Sequence, residues 1–242
     1  MIDGVDDVVA AVHRTGVAVV RSAFDPGEID EARRTVLAHR HLMKNTRPTP
    51  SSRHLAGFHR YPALEPLHRL ITGNRPTQEV MIRLLGADLR TIGLSDITVN
   101  RSQQWHKDLL RGNYRHHLGD GDICAQHHGT VFKVIAYLQD SSSLQFVPGS
   151  HRQDIPLESD EFAVPPDDAA VSRVEVRAGD AVIIDICTTH RGSTEDAFAS
   201  PDVADHPRIL VSTVFGRAEC DFVDRLELGN AERLAAWQRC TS

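Results

Sequence analysis

The stretch Val131-Phe132-Lys133-Val134-Ile135-Ala136-Tyr137-Leu138 decides the fold class of this 242-residue chain. It is rich in β-branched and aromatic residues, which favour extended strands over helices. A turn at residues 140–143 follows, then a second short strand at 144–147 and a turn at 148–151. Because no helix separates these strands, the segment predicts antiparallel β-structure rather than a parallel α/β sheet.

Short strands separated by turns continue on both sides of this stretch. Further strands are predicted at residues 91–100 (as a pair or as one bent strand), 171–176, 181–189 and 209–215. Together these give a series of about eight short strands, which is typical of a β-sandwich or jelly roll. We therefore predict a mainly β fold with flanking helices.

Helical periodicity lies towards the two ends of the chain. Helices are predicted at Val5–Thr15, from the cap Asp25-Pro26-Gly27-Glu28 to about residue 43, at about 76–85 and at about 230–239. Other elements are a strand at Val17–Val20, a Pro-rich loop at 45–62 and an acidic loop at 158–168. We predict one domain over residues 1–242, with a helical part to about 90, a jelly-roll core at about 91–220 and a C-terminal helix at about 228–240.

Composition narrows the class of partner and the compartment. The net charge is −6 and aromatic residues make up only 5% of the chain. A nucleic-acid interface needs a basic face and often stacking aromatics, so this class of partner is not expected. None of the four cysteines fits a zinc spacing, which indicates free thiols in a reducing compartment. The acidic N-terminus and the lack of long apolar runs predict a cytoplasmic protein without a membrane span.

The segment Gln104-Trp105-His106-Lys107-Asp108 contains a candidate metal site. Residues two apart on an extended chain point to the same face, so His106 and Asp108 would converge. His190, at the end of the predicted strand 181–189, supplies a second imidazole, and two imidazoles with one carboxylate are typical of non-haem Fe(II) sites. The alternative is a surface His–Asp pair, because chance alone gives about two His-x-acid pairs in a chain of this composition.

Such a site leaves open positions for a chelating co-substrate and O2. A 2-oxo acid such as 2-oxoglutarate would chelate through its keto oxygen and C1 carboxylate, and its far carboxylate would need a cation. The candidate cation is Arg208, which begins the strand after the His190 loop, with Ser212 on the same face of that strand. Arg191 neighbours His190, but strand alternation points its side chain away from the metal. The alternative for Arg208 is a surface arginine at a sheet edge.

Several other polar residues have two possible explanations. Lys133 lies in the middle of an apolar strand, where its ammonium either reaches the rim of the sheet or pairs with a buried anion. The pairs His116-His117 and His127-His128 are not expected to bind metal, because adjacent side chains on a strand point to opposite faces. Residues 45–62 and 111–128 could form a lid or a substrate loop.

Four ordered segments resemble the phytanoyl-CoA dioxygenase family, whose members are Fe(II)- and 2-oxoglutarate-dependent oxygenases. They are Trp105-His106-Lys107-Asp108, Phe132 to Asp140, Phe146-Val147-Pro148-Gly149-Ser150-His151, and Ala178 to Asp185 leading to His190. The stretches Gly16 to Val20 and Asp25 to Glu28 are also similar to that family, so the resemblance covers nearly the whole chain.

The resemblance implies a double-stranded β-helix, which is a cupin-like jelly roll. It implies that His106, Asp108 and His190 are the iron ligands. It also implies that Arg208 grips the C5 carboxylate of 2-oxoglutarate. Asn100 and Lys133 fall at family positions that contact the co-substrate. Gln104 and Trp105 fall at positions that border the pocket.

The chain departs from the family pattern in two places. Ser141-Ser142-Ser143 replaces a usual Asn-Gly turn, and the loop between His190 and Arg208 is longer than usual. His151 matches a family position that is structural rather than ligating. Asp108 bears on the reaction type, since halogenating relatives have a small residue in place of this carboxylate.

The expected function is oxidation of a small-molecule substrate with Fe(II), 2-oxoglutarate and O2, releasing succinate and CO2. Hydroxylation is the default outcome, and desaturation, epimerisation and cyclisation use the same cofactors. A biosynthetic tailoring role or an amino-acid-like substrate fits this expectation. Two other classes stay open: a non-catalytic jelly-roll protein that binds a small ligand, and a cupin-type metalloenzyme that does not need 2-oxoglutarate.

Overall fold

The computed structural model describes residues 4–108, 114–119, 123–153, 169–199 and 206–239, together with residues 165 and 203. The helices are α1 Val5–Thr15, α2 Pro26–Ala38, α3 Glu65–Thr72, α4 Arg75–Leu85, α5 Arg115–Leu118, α6 Ile123–His127 and α7 Asp221–Arg239. The strands are β1 Val17–Val20, β2 Arg53–Ala56, β3 Arg90–Thr91, β4 Asp96–Val99, β5 Val131–Tyr137, β6 Ser141–Phe146, β7 Ser172–Val176, β8 Ala181–Asp185, β9 His190–Arg191 and β10 Ile209–Gly216. Apart from residue 165, the acidic loop predicted at 158–168 lies outside the described residues.

Antiparallel pairing arranges these strands in two sheets. The larger sheet follows the order β1-β8-β5-β10-β4-β2, with β3 also paired to β10, and the smaller follows β7-β6-β9. β5 lies between β8 and β10, where Lys133 is opposite Ile184 and Val214. The strand that decided the fold class is therefore at the centre of the larger sheet.

The side chains of β5 alternate between two layers. Val134 and Ala136 pack in a core cluster with apolar residues of α1 to α4, which cover the outer face of the larger sheet. Ile135 and Tyr137 pack against residues of the smaller sheet. Lys133 shares the face of Ile135, so it points into the space between the sheets. This arrangement confirms the predicted mainly β fold with flanking helices.

The predicted bounds of α1 and β1 and the predicted start of α2 are confirmed to the residue. α1 ends at Gly16, whose φ of +87° and close approach to Thr188 and His151 leave no room for a Cβ atom. At the start of α2, the backbone N–H of Asp25 donates to Glu28 Oε2 at 2.9 Å, as the predicted cap requires. Gly16 thus brings α1 close to the segment that precedes His190.

Several predicted boundaries are wrong because tertiary packing overrides local composition. Residues 45–62, predicted as a loop, contain β2, which pairs with β4. α3 was not predicted, and it buries Leu67 and Ile71 in the core. α7 begins at Asp221 instead of near 230, and α2 ends at Ala38 instead of near 43. α5 and α6 lie within the predicted loop 111–128.

The predicted strand 181–189 also breaks, and it does so at Asp185. The carboxylate of Asp185 accepts the N–H of Cys187 at 2.9 Å and the N–H of Gly129 at 2.6 Å, which fixes a turn. Burial raises the pKa of Asp185 to about 6 in spite of these two bonds. His190 therefore lies in the smaller sheet, on β9 beside β6, and not at the end of β8.

Two predictions from composition can be compared with the described residues. Cys124, Cys187 and Cys220 are thiols that form no disulfide bond, as predicted. None of the helices in the described ranges has both the length and the apolar character needed to cross a bilayer. The division of the chain into a helical part, a jelly-roll core and a C-terminal helix stays a prediction.

Candidate metal centre

The segment before β5 and the strand β9 meet at one pair of histidines. His106 and His190 form an isolated antiparallel bridge, in which each backbone N–H donates to the other residue's carbonyl at 2.9 Å. Their ring centroids lie 4.3 Å apart. With Asp108 they form a buried group whose candidate ligand atoms all lie within 4.8 Å of one another. The structure thus brings together the three residues predicted from the sequence.

Hydrogen bonds fix the tautomer of both imidazoles. His106 Nδ1 lies 2.7 Å from the carbonyl oxygen of Gln104, and His190 Nδ1 lies 2.9 Å from that of Thr188. A carbonyl only accepts, so each Nδ1 carries a proton, and Nε2 is the ring nitrogen through which each histidine would bind a metal ion. The two Nε2 atoms face Asp108, at 3.4 Å from Oδ1 and 3.6 Å from Oδ2. Two neutral imidazoles and one carboxylate fit a divalent metal ion.

The Asp108 carboxylate is buried but kept ionised. Burial by itself would raise the pKa of Asp108, yet the Lys133 ammonium and the two neighbouring histidines outweigh it and hold that pKa well below its usual range. Lys133 Nζ lies 3.0 Å from Asp108 Oδ2. Of the two explanations for Lys133, the buried anion partner is the one that the structure shows.

Lys107, between the candidate ligands His106 and Asp108, holds the segment in place. Its side chain is buried, and its ammonium donates to the carbonyl oxygens of Ser150 at 2.8 Å, Gln153 at 2.9 Å and Cys187 at 2.5 Å. These carbonyls belong to the turn after β6 and to the turn that leads to His190. Lys107 therefore ties together the parts of the chain that carry the ligands, a role that sequence reasoning missed.

We expect Lys107→Met to lower the free energy of unfolding by about 3 kcal/mol or more, because three carbonyls lose a charged donor and each buried unsatisfied acceptor costs about 1–3 kcal/mol. Urea unfolding measures the change. The matched control is Lys44→Met, since Lys44 is only half-buried and its ammonium donates to one carbonyl, that of Trp237. Equal losses in the two variants would contradict the role assigned to Lys107.

Arg208 immediately precedes β10 of the larger sheet. Its Nη1 donates to Ser143 Oγ and its Nη2 to the carbonyl of Arg101, both at 2.8 Å. Its Nε has no hydrogen-bond partner among the described residues, none of whose carboxylates lies within ion-pair distance of this guanidinium. Burial lowers the pKa of Arg208, because a cation away from water is disfavoured. An anion at this guanidinium would relieve that cost.

Comparison with known proteins identifies the family. The family model for phytanoyl-CoA dioxygenase (PhyH) matches residues 12–196, which is most of the chain. The chain belongs to the phytanoyl-CoA dioxygenase family. No curated protein sequence matches it.

Crystal structures of low identity share the fold. SnoN, a non-heme alpha ketoglutarate dependent epimerase from nogalamycin biosynthesis, is 22% identical with a TM-score of 0.66, covering 88% of this chain and 83% of SnoN. HygX from Streptomyces hygroscopicus, with nickel, 2-oxoglutarate and hygromycin B bound, is 19% identical with a TM-score of 0.63, covering 88% and 87%. SnoK, a carbocyclase from nogalamycin biosynthesis, is 19% identical with a TM-score of 0.65, covering 88% and 83%. SnoN has also been crystallised with Fe3+ and alpha ketoglutarate, so the cofactors expected from the sequence occur in these relatives.

The other predicted site residues of this phytanoyl-CoA dioxygenase family member differ in their burial and in their contacts. Asn100 is buried; its Oδ1 accepts the backbone N–H of Arg208 at 2.8 Å and its Nδ2 donates to the carbonyl of Val203 at 3.3 Å. Gln104 is exposed, and Trp105 is half-buried with the Arg191 guanidinium 4.8 Å from its ring centroid. Arg191 also pairs with Gln145, which agrees with the prediction that it points away from the metal.

Of the other histidines, His117, His127 and His151 have partners outside the metal centre. His117 pairs with Glu232, and His127 stacks on Phe222. These histidines lie on or next to helices, so the strand alternation used to exclude the His pairs from metal binding was wrong, although none joins the metal group found among the described residues. His151 is buried with Nε2 at 3.2 Å from the carbonyl of His13, and burial is the main cause that lowers its pKa to about 4.

An ion-paired cluster joins α7 to the interior face of the larger sheet. Asp96 Oδ1 accepts a hydrogen bond from Arg233, and Asp96 Oδ2 lies 3.2 Å from His54 Nε2. Arg233 also donates to the hydroxyl of Tyr114 at 3.3 Å. Burial favours a raised pKa for Asp96, but Arg233 and His54 outweigh it and hold that pKa far below its usual range. Sequence reasoning missed this cluster because its members come from four distant segments.

We expect acid to destabilise the protein through His54. Burial is the main cause that lowers the pKa of His54 from 6.5 to about 4. Because the folded-state pKa is depressed, the unfolded chain takes up the proton first, and stability present above pH 6.5 is lost as the pH falls towards 4. Between pH 7 and pH 5 the free energy of unfolding should fall by about 2 kcal/mol on account of this residue. Urea unfolding at both pH values should show a smaller loss in His54→Gln, and an equal loss would contradict the prediction.

Proposed function

We propose that the protein is an Fe(II)- and 2-oxoglutarate-dependent dioxygenase that oxidises a small molecule. The observation that carries the proposal is the buried convergence of His106, Asp108 and His190 within 4.8 Å. Membership of the phytanoyl-CoA dioxygenase family supports the same function. The crystals of SnoN and HygX, which contain the co-substrate, add support from proteins of the same fold.

Each of the three residues has a defined part in this function. His106 and His190 offer neutral Nε2 atoms, and Asp108 offers one carboxylate oxygen. When bound together with 2-oxoglutarate, iron supplies the activation of O2 that a C–H oxidation needs. The carbonyls of Gln104 and Thr188 hold the protons on Nδ1, so the Nε2 lone pairs stay available.

Arg208 is the residue we assign to the C5 carboxylate of 2-oxoglutarate. A guanidinium has five N–H donors, and the bonds to Ser143 and Arg101 use two of them. The partnerless Nε and the absence of a carboxylate partner in the described residues support an anion-binding role. Asn100 fixes the backbone at Arg208, so its contribution to co-substrate binding is to orient the arginine.

The reaction type is proposed from Asp108 and from the relatives. A carboxylate at this position leaves no room for a halide ligand, so oxidation without halogenation follows. Hydroxylation is the proposed default, although SnoN is an epimerase and SnoK a carbocyclase. HygX was crystallised with hygromycin B and SnoN with nogalamycin RO. We propose a comparable tailoring reaction on a polar small molecule that enters past Gln104 and Trp105.

Two measurements test the proposal. Anaerobic addition of Fe(II) and 2-oxoglutarate should produce a weak visible charge-transfer band, and admission of O2 should release succinate even without substrate, at a low rate. A protein that gives neither signal would be a non-catalytic small-ligand binder. Metal-dependent oxidation that needs no 2-oxoglutarate would instead favour the cupin-type enzyme.

A further inference from the structure

Lys133 contributes a positive charge beside the metal centre. It lies on the central strand β5 between two apolar neighbours, Val214 and Ile184, and its side chain is 19% exposed. Its Nζ lies 3.0 Å from Asp108 Oδ2, and this is its only ion pair within the described ranges. A lysine among apolar residues lowers the stability of the fold, because its ammonium is partly removed from water. We therefore expect its positive charge to have a role in the site.

We propose that Lys133 is a positioning residue that holds Asp108 by one carboxylate oxygen and sets the charge of the site, so that the metal ion alone binds weakly and the dianionic co-substrate binds tightly. The inference rests on the proposed function, because it concerns how the same site fills. It adds that Lys133 sets the affinity of the site for the metal ion relative to its affinity for 2-oxoglutarate.

The net charge of the site shows why the two affinities change in opposite directions. Asp108 and Lys133 cancel each other and Arg208 adds one positive charge, so a divalent ion gives the site a charge of about +3, and dianionic 2-oxoglutarate lowers it to about +1. Without the Lys133 ammonium, the corresponding charges are about +2 and about zero. Removal of Lys133 therefore favours the cation and disfavours the dianion.

A second effect of Lys133 works against the first for the metal ion. The ammonium restrains the Asp108 side chain, and ordering a released side chain again on metal binding weakens the affinity by at most about tenfold. Repulsion between the ammonium and a doubly charged ion a few ångströms away changes the affinity by far more than about tenfold at the effective dielectric constant of a protein surface. The repulsion outweighs the restraint, so the sign of the metal effect is set by charge.

The experiment measures two affinities in Lys133→Met. Calorimetric titration with Ni(II), which does not support turnover, measures the metal affinity. Titration of the Ni(II)-loaded protein with 2-oxoglutarate measures the co-substrate affinity. The metal dissociation constant should fall by about tenfold or more, while that of 2-oxoglutarate should rise by about tenfold or more. Lys133→Arg, which keeps the charge, should stay close to the wild type in both. Lys44→Met, a neutralised lysine that lies against Trp237, is the matched control and should change neither.

The possible results separate the proposal from its alternatives. If both affinities weaken in Lys133→Met, the lysine is a structural support of the site, and the proposal is wrong. If neither affinity changes, Lys133 does not affect binding of the metal or of the co-substrate, and the proposal is also wrong. A wild-type protein that binds neither Ni(II) nor 2-oxoglutarate would overturn the proposed function itself, and that result is visible before any variant is made. Thermal unfolding of each variant without ligands shows whether it is folded.

Discussion

Replacing Asp108 by alanine is expected to weaken binding of a divalent metal by on the order of a thousandfold, since loss of residues that only orient metal ligands already costs 10–100-fold. Asp108 is the single anionic member of the proposed ligand set, and its two oxygens lie 3.4 Å from His106 Nε2 and 3.6 Å from His190 Nε2. Without the carboxylate, two neutral imidazoles remain beside the positive charge of Lys133, which repels the metal. Succinate formation should stop with metal binding.

Calorimetry with Ni(II) on the metal-free protein measures the effect directly. Asp108→Asn removes the charge but keeps the size and an acceptor for Lys133, so it distinguishes loss of the ligand from loss of local structure. Asp30→Ala, a change at an exposed position of α2, is the matched control and should bind metal as the wild type does. Metal binding in Asp108→Ala within threefold of the wild type would place the metal elsewhere.

Local sequence predicted the elements whose stabilising partners are close in the chain. α1 ends where Gly16 takes up its left-handed conformation, and α2 begins at the Asp25–Glu28 cap, because both features depend on residues a few positions apart. β5 was evident from its apolar β-branched residues. β2 was missed because Arg53–Ala56 becomes a strand only by pairing with the distant strand β4. Composition cannot reveal a pairing of that kind.

The candidate ligand residues could be predicted from the sequence, whereas their surroundings could not. The spacing of His106 and Asp108 indicated a shared face, and order along the chain indicated His190. The reason given for His190 was nevertheless incomplete, because the turn fixed by Asp185 moves it to the smaller sheet. The contacts of Lys107 are with backbone carbonyls, which carry no signal in the sequence at all. Side-chain chemistry can be inferred from residue types, but backbone partners require the fold.

Replacing Arg208 by glutamine is expected to raise the dissociation constant of 2-oxoglutarate by about a hundredfold, since removal of one partner of a buried charge pair costs 2–5 kcal/mol. Metal affinity should be unchanged, because neither Arg208 nor its partners Ser143 and Arg101 belong to the metal group. Calorimetric titration of the Ni(II)-loaded protein with 2-oxoglutarate measures the loss. In thermal unfolding, 2-oxoglutarate should stabilise the wild type far more than the variant.

The unfolding temperature without ligand gives a second test of the role of Arg208. In the metal-free protein Arg208 is half-buried, its Nε is shielded from water, and it has no carboxylate partner in the described part of the chain, so its removal relieves a cost. Arg208→Gln should therefore unfold at a temperature equal to or above that of the wild type when no ligand is present, and below it at saturating 2-oxoglutarate. Arg173→Gln, at an exposed position of β7, should follow the wild type in both conditions. If Arg208→Gln kept wild-type affinity, the far carboxylate would be held by another cation; if it kept metal-dependent oxidation without 2-oxoglutarate, the site would belong to a cupin-type enzyme.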